Sequence, residues 1–496
     1  MLSRLKMFLL FLIVFWAFSL SALGYKPYNI NTNSISSKKL NVYHLKFPPL
    51  NYSIPKYSKI PLIGKNSTLY YAKDENTKLL KIKIYFPIGS IYDREGYYGE
   101  IYLTLYSLLN GGTKKFTPNQ VDSILDFYGI NISFNVYNEY SVIYMDVVDD
   151  YKDIATDLLK DLLNFPRFDS TIIEIKKRTI YAALRREEEE PNSFISYKYK
   201  EFILNNKIYS HRIVGDTNSL KNINQEVIKK NYERIRKIGN FKIVIVGNIS
   251  KFNAIKTSYK ILSNFYKKNT WHHTDRVLRL EKISDVYDSV DVVILVSNKG
   301  YNQTFIRFGF RGIKYNSKDY YLNNISTYII GGGGFSSIIL DELRVKRGLT
   351  YAAGFYHKPY IYIKGYYLGY CQTQNKRSIE ALETIINVFN RLKKYGVSKD
   401  KIDLSKETFI NQIPFLYASK MDYISLVVKY EIQNRDPRLL EKLPEIYGSF
   451  SYEKVNNYIK NISSNRLKFF IITSKDNVDN IKNFFENKGY KIIIVQ

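Results

Sequence analysis

Cysteine is all but missing from this sequence. Cys371 is the only one in 496 residues, which excludes an internal disulfide. Stability must come from ordinary packing, even in an oxidising compartment. Histidine is nearly as scarce, with five residues. His272 and His273 are adjacent, so they cannot share a helix face as metal ligands, and His44 and His357 are isolated. Acidic residues are outnumbered, 46 Asp and Glu against 74 Lys and Arg, for a formal charge of +28. Such a field favours anionic partners. No Lys/Arg block of the length of a nucleic-acid arm is present, so no specific nucleic acid is expected. A surface that binds polyanions generally would show steep salt dependence.

What is present is globular. The chain is 45% hydrophobic and 16% aromatic, with 46 tyrosines. Its length suits two domains of about 200 residues. Arg4 and Lys6 precede an apolar run, Met7 to Phe18, too short to span a bilayer comfortably, and small residues such as Ala22 and Gly24 follow. That is the pattern of a signal peptide over residues 1–24. The expected location is exported: periplasmic, or membrane-associated through an uncleaved N-terminal segment. Residues 25–60 have no sustained period and are expected to form an arm or linker.

Leu80, Ile82, Ile84 and Phe86 alternate with polar residues and tyrosine, predicting a half-buried strand. A helix is expected over 99–109, followed by Gly111-Gly112-Thr113. Thr117-Pro118-Asn119-Gln120 is a helix start with cap, N1 proline and N3 glutamine. Ile130 to Val148 predicts two antiparallel strands about Asn138-Glu139. A long helix is expected from Ser170 to Glu190, stopped before Pro191. Phe241 to Val246 is an apolar strand. About 220 residues on, the order returns. Phe305 to Phe310 reprises the first strand, Asp319 to Ile330 the helix, 351–356 and 363–370 the hairpin, and Leu467 to Thr473 the later strand. The expected fold is α+β: two homologous repeats, 61–266 and 289–496, joined by a polar linker at 267–288. Each repeat is an antiparallel-rich sheet packed with helices, and together they form a half-shell.

Gly331, Gly332, Gly333 and Gly334 stand where the first repeat has its Gly-Gly-Thr turn. They form a backbone-only run free to take positive φ. Ser336 or Ser337 is placed to cap a helix with Ile338, Ile339, Leu340 and Leu343 on its apolar side, and Gly348 to end it. Arg344 and Tyr351, seven residues apart, are expected to point into one cavity. No Gly-Lys-Ser/Thr follows the glycines, so this is not a phosphate loop.

This order of motifs resembles the pitrilysin/insulinase type of zinc peptidase, the inverzincins, over about residues 60 to 496. The likeness is closest to the two-subunit branch with the mitochondrial processing peptidase. In that family a helix carries H-x-x-E-H ahead of a Gly-Thr turn, two His binding zinc and the Glu serving as base. Counted back from Gly112-Thr113, those positions are Leu103, Thr104, Leu105, Tyr106 and Ser107. The third family ligand, a Glu on a later helix, falls on or beside Ala183. The resemblance implies no zinc on this chain. The acidic run Glu187 to Glu190 is expected to be a solvated helix end. The second-repeat pattern L-R-x-x-x-G-L-x-Y is intact as Leu343 to Tyr351. There the family's Arg and Tyr contact substrate near the scissile carbonyl, and a glycine-rich loop of the non-catalytic subunit contacts substrate.

The resemblance thus implies the non-catalytic subunit of a heterodimeric metallopeptidase. Arg344, Tyr351 and Gly331 to Gly334 would contact a peptide or unfolded polypeptide. A partner with H-x-x-E-H would bring the zinc. The alternative is a structural or binding module of the same shell without proteolysis, the kind that forms core subunits of respiratory assemblies.

Overall fold

The computed structural model describes residues 52–265 and 289–496. The expected signal segment, most of the arm, the linker, and His44, His272 and His273 lie outside the described residues.

Twelve strands among the described residues form two six-stranded sheets. The first has the order β1-β2-β6-β3-β5-β4, from β1 (Ser58–Leu62), β2 (Ser67–Lys73), β3 (Leu79–Phe86), β4 (Asn131–Val136), β5 (Ser141–Val148) and β6 (Lys242–Gly247). The second has the order β12-β7-β11-β8-β10-β9, from β7 (Val292–Ser297), β8 (Gln303–Gly309), β9 (Ala353–Lys358), β10 (Tyr366–Gln374), β11 (Lys468–Ser474) and β12 (Ile492–Val495). Five strands of each follow one plan: β2-β6-β3-β5-β4 corresponds to β7-β11-β8-β10-β9. In both, one parallel pair (β2 with β6, β7 with β11) adjoins antiparallel neighbours. Only the outer edge differs, since β1 pairs antiparallel with β2 whereas β12 pairs parallel with β7.

The helices of the first repeat are α1 (Glu100–Asn110), α2 (Pro118–Phe127), α3 (Lys152–Asn164), α4 (Ser170–Glu189), α5 (Pro191–Leu204), α6 (Gln225–Arg236) and α7 (Lys251–Ile261). The second has α8 (Tyr320–Thr327), α9 (Ser378–Tyr395), α10 (Lys399–Leu416), α11 (Lys420–Ile432), α12 (Tyr452–Ser463) and α13 (Val478–Glu486), with shorter turns between. Local signals do set their ends. Thr117 and Gln120 close a reciprocal capping box on α2, and Pro191 stands at the first turn of α5 after α4 has ended. None of the described helices is long and apolar enough to cross a membrane.

Two expectations need correction. Residues 58–60, assigned to the arm, belong to strand β1, which exists because β2 offers it an edge (Ser58 opposite Tyr71) and not through a pattern of its own. The first strand keeps the expected alternation through Ile84 and departs from it at Tyr85. Leu80, Ile82, Ile84 and Phe86 face one core, but Tyr85 on the opposite face is also buried. The reason is reciprocal cover: α5 of the first repeat packs on β8 and β11 of the second sheet, and α11 of the second packs on β6 of the first. Lys83 Nζ donates to Ser425 Oγ at 2.9 Å across this contact. Each apolar cluster therefore mixes residues of both repeats.

One carboxyl joins the repeats from within. Glu139, between β4 and β5, accepts at Oε1 from Tyr209 Oη (2.7 Å) and from the N–H groups of Ile361 (2.6 Å) and Tyr362 (3.2 Å). Burial raises its pKa to about 7 against the pull of these three donors. The unfolded value is about 4.3. Because the folded value is the higher, this group's contribution is full below about pH 4 and is lost as pH rises through about 7. Glu139→Gln keeps the accepting oxygen and cannot ionise. Urea titrations at pH 5 and pH 8 are expected to show wild type losing roughly 3 kcal/mol relative to the variant. Equal slopes would show that Glu139 does not titrate in this range.

Candidate functional site

α1 and α4 are the helices on which the family's metal ligands would stand, and they pack side by side. α1 begins after Gly99, whose φ is +93° and whose added Cβ would lie 2.5 Å from the Val214 carbonyl oxygen, so a side chain is excluded there. Asp93 closes the helix start, accepting from the N–H groups of Gly99 (2.8 Å) and Ile101 (3.0 Å). The scaffold is intact, but its chemistry is not that of a zinc site. Leu103, Thr104, Leu105 and Ser107 are buried in the helix packing, and Thr104 Oγ1 donates back to the Glu100 carbonyl at 2.6 Å. Tyr106 is half-buried with Lys176 Nζ 4.5 Å from its ring centroid, and Ala183 is exposed. An aliphatic chain, a phenol under an ammonium, a buried hydroxyl and a methyl offer neither imidazole nor carboxylate. The residues present do not fit zinc.

The described histidines are committed elsewhere. His211 Nδ1 lies 3.1 Å from the Lys207 carbonyl and Nε2 3.3 Å from Asp93 Oδ2, with the ring stacked on Tyr98 at 4.3 Å. His357 Nε2 accepts from Ile313 N–H at 3.1 Å, and Nδ1 contacts Asn323 Nδ2 at 3.1 Å. Burial depresses the His357 pKa to about 4, so it stays neutral. In the acidic run, Glu187 pairs with Arg212 at 3.0 Å and Glu190 accepts from Asn192 N–H at the start of α5. These are helix-end contacts. No group of three or more His, Cys, Asp or Glu among the described residues is placed to hold a metal ion.

The stretch 328–352 departs from the expected turn. Gly331 and Gly332 lie within a π turn, Tyr328–Gly332, closed by Gly333 N–H to the Tyr328 carbonyl at 2.9 Å. Of the four glycines only Gly334 takes positive φ, at +57°. Gly331 is buried, and its backbone lies against β9 so closely that a Cβ would meet Phe355 N at 2.1 Å. Gly332 and Gly334 are exposed and Gly333 is half-buried. Ser337 does precede a short helical turn, Ile338–Leu340, but its hydroxyl donates to the Gly334 carbonyl (2.7 Å) and caps no amide. Ser336 likewise donates to the Gly333 carbonyl at 2.7 Å. The chain then makes a second π turn, Asp341–Val345, and Gly348, with φ +58°, ends it.

Arg344 sits on that second π turn. Its guanidinium carbon is 4.5 Å from the Tyr351 ring centroid and 4.8 Å from that of Phe335, both rings exposed. The expected pair is thus brought together, as a stack at the surface. Its neighbours are π faces, which hold the cation without using its in-plane N–H groups. The turn is anchored beneath by Glu342, which is 3% exposed and meets Lys346 (2.9 Å), Arg391 (2.8 Å) and Arg347. Burial opposes ionisation of Glu342, yet hydrogen bonds from these cations outweigh it and hold its pKa at about 2.

Tyr351 also rims a cleft of about 590 Å³ between α5 and the β8–β10–β9 face, which Arg344 does not line. The expectation of one cavity for both side chains is corrected to one cleft with a stacked cation outside it. The floor of that cleft holds Arg307, which is 5% exposed. Sequence reasoning passed over it. Its only signal was a lone cation inside the apolar run Phe305 to Phe310.

Comparison with known proteins gives two matches along the chain: the profile "Insulinase (Peptidase family M16)" over residues 68–215, and "Peptidase M16 inactive domain" over residues 222–409. A "non-peptidase homolog YmxG" from Helicobacter pylori is 21% identical over 371 residues, covering 74% of this chain and 83% of its own length. A protein from Bacillus subtilis named "uncharacterized zinc protease YmxG" is also 21% identical, over 74% of this chain and 86% of its own. Among solved structures, a peptidase M16 inactive domain from Pseudomonas fluorescens shares the fold with a TM-score of 0.73 at 19% identity, over 85% of this chain and 98% of that one.

Proposed function

Because this chain belongs to the M16 (insulinase) peptidase family, we propose that it is the non-catalytic subunit of an exported two-chain zinc peptidase. It binds peptide or unfolded polypeptide and completes a partner's active site. The observation that carries this reading is asymmetric loss. The ligand positions of the first repeat are Leu103, Ser107 and Ala183 and the base position is Tyr106, while Arg344 and Tyr351 of the second remain stacked at the surface on a turn pinned by Glu342. A forked guanidinium suits a peptide carbonyl or carboxylate, and a phenol can donate to a developing oxyanion. The partner carries H-x-x-E-H and the zinc. The N-terminal segment directs this chain to the periplasm or holds it at a membrane.

Co-expression with an H-x-x-E-H relative from the same genome tests the proposal. A stable pair is expected, with one zinc in the partner and peptide hydrolysis that neither chain shows alone. A partner that hydrolyses peptides equally well without this chain would end the reading. The relative named a non-peptidase homolog supports the second reading, a binding module without proteolysis. In that case the chain would form a stable assembly in which no combination of subunits cleaves peptide.

A further inference from the structure

A cation in a protein interior is tolerated when a carboxylate or its equivalent compensates it. Arg307 on β8 lacks that compensation. Its Nε donates to Ser196 Oγ at 3.1 Å, Nη1 to the Ile306 carbonyl at 3.1 Å, and Nη2 to the Asn192 carbonyl and Oδ1 at 3.0 and 3.2 Å. All four acceptors are neutral. Among the described residues it forms no ion pair, and the ionisable groups that act on it are two phenols, Tyr356 and Tyr370, and the Cys371 thiol. Burial accordingly lowers the Arg307 pKa to about 10.

Among the described residues, the other deeply buried arginine with no carboxylate beside it is compensated by aromatic rings. Arg435 is 8% exposed, and its guanidinium carbon lies 3.7 Å from the Tyr430 ring centroid and 3.9 Å from that of Tyr320. Arg307 has one ring, Tyr370, at 5.9 Å. Its surroundings open into the cleft beside Tyr351, whose described lining has no other charged side chain.

We propose that the Arg307 cleft is a carboxylate-binding subsite for a peptide, taking either a C-terminal carboxylate or an acidic side chain on the guanidinium. Tyr356 and Tyr370 flank the residue that carries the carboxylate, and Tyr351 covers the entrance. The subsite shares Tyr351 with the substrate contact proposed above, but binding there needs no zinc-bearing partner. The two readings therefore fail separately.

The test uses the full chain alone and calorimetric titration with three acetylated tetrapeptides. One is Ac-Ala-Ala-Leu-Ala with a free carboxylate, the second its C-terminal amide, and the third the amide Ac-Ala-Glu-Leu-Ala-NH2. The free acid or the glutamate peptide is expected to bind at least about 30-fold tighter than the neutral amide, consistent with a charge-assisted pair in a desolvated site. Whichever of the two binds tighter identifies the source of the carboxylate. Arg307→Gln, checked for native circular dichroism, is expected to abolish that preference. If Arg307→Gln does not fold, the comparison on the wild-type chain still decides. Equal affinity for all three peptides would overturn the proposal. So would inorganic phosphate displacing the acid peptide at concentrations where acetate does not, because that would mark a phosphate site.

Discussion

Arg344→Ala is expected to lower kcat/KM for peptide cleavage by the two-chain complex about 100-fold, with Tyr351→Phe losing about tenfold. Among the described residues the guanidinium forms no ion pair and rests on two exposed rings, so its removal costs the fold only weak surface contacts. Thermal unfolding of the isolated chain should therefore stay within about 1 °C of wild type. Arg344→Lys should recover little, because an ammonium lacks the planar fork. The split between parameters is informative. A loss confined to KM would make Arg344 a ground-state contact, and a loss in kcat would assign it to the transition state. Unchanged kcat and KM in an intact complex would remove Arg344 and Tyr351 from any shared site.

Gly331→Ala is expected to destabilise the chain by about 3 kcal/mol or more, a drop of roughly 3 °C or more in Tm for a cooperative unit of this length. The added methyl would stand 2.1 Å from Phe355 N and 2.5 Å from Phe355 Cβ. Phe355 is fully buried and stacked on Tyr367 at 5.4 Å, with Phe389 at 5.2 Å, so it has no room to yield. The neighbouring glycine supplies the control. At Gly332 the nearest heavy atom would be 3.6 Å away, and Gly332→Ala should change stability by less than about 1 kcal/mol. Thermal or urea unfolding of the two variants separates a packing glycine from a loop glycine. Equal Tm values would mean that β9 can move away from the π turn.

Local chemistry was legible wherever it was self-contained. The capping box at Thr117, the proline stop after α4 and the hairpin about Asn138-Glu139 all depend on residues close in sequence, and they stand where expected. The hairpin of the second repeat is displaced. β9 starts at Ala353 and β10 at Tyr366, because Gly365 first pairs with the segment after β8, its carbonyl accepting from Gly312 N–H at 2.7 Å. β1 and β12 are edge strands made by their partners, and their own residues gave little warning of them.

By itself the sequence determined the repeat, the family and the residue types that stand at the family's metal positions. The first two follow from the order of local patterns. The third follows because no packing can turn Leu103, Tyr106, Ser107 and Ala183 into imidazole or carboxylate. Tertiary structure alone decided what each repeat does for the other. A strand that alternates in sequence has Tyr85 and Lys83 of its second face covered because α11 packs there from the other repeat. Gly331 is a packing residue because β9 lies against it, and Arg307 is a buried cation because α5 lies over β8. These contacts join residues more than about 20 positions apart, where neither periodicity nor capping carries information.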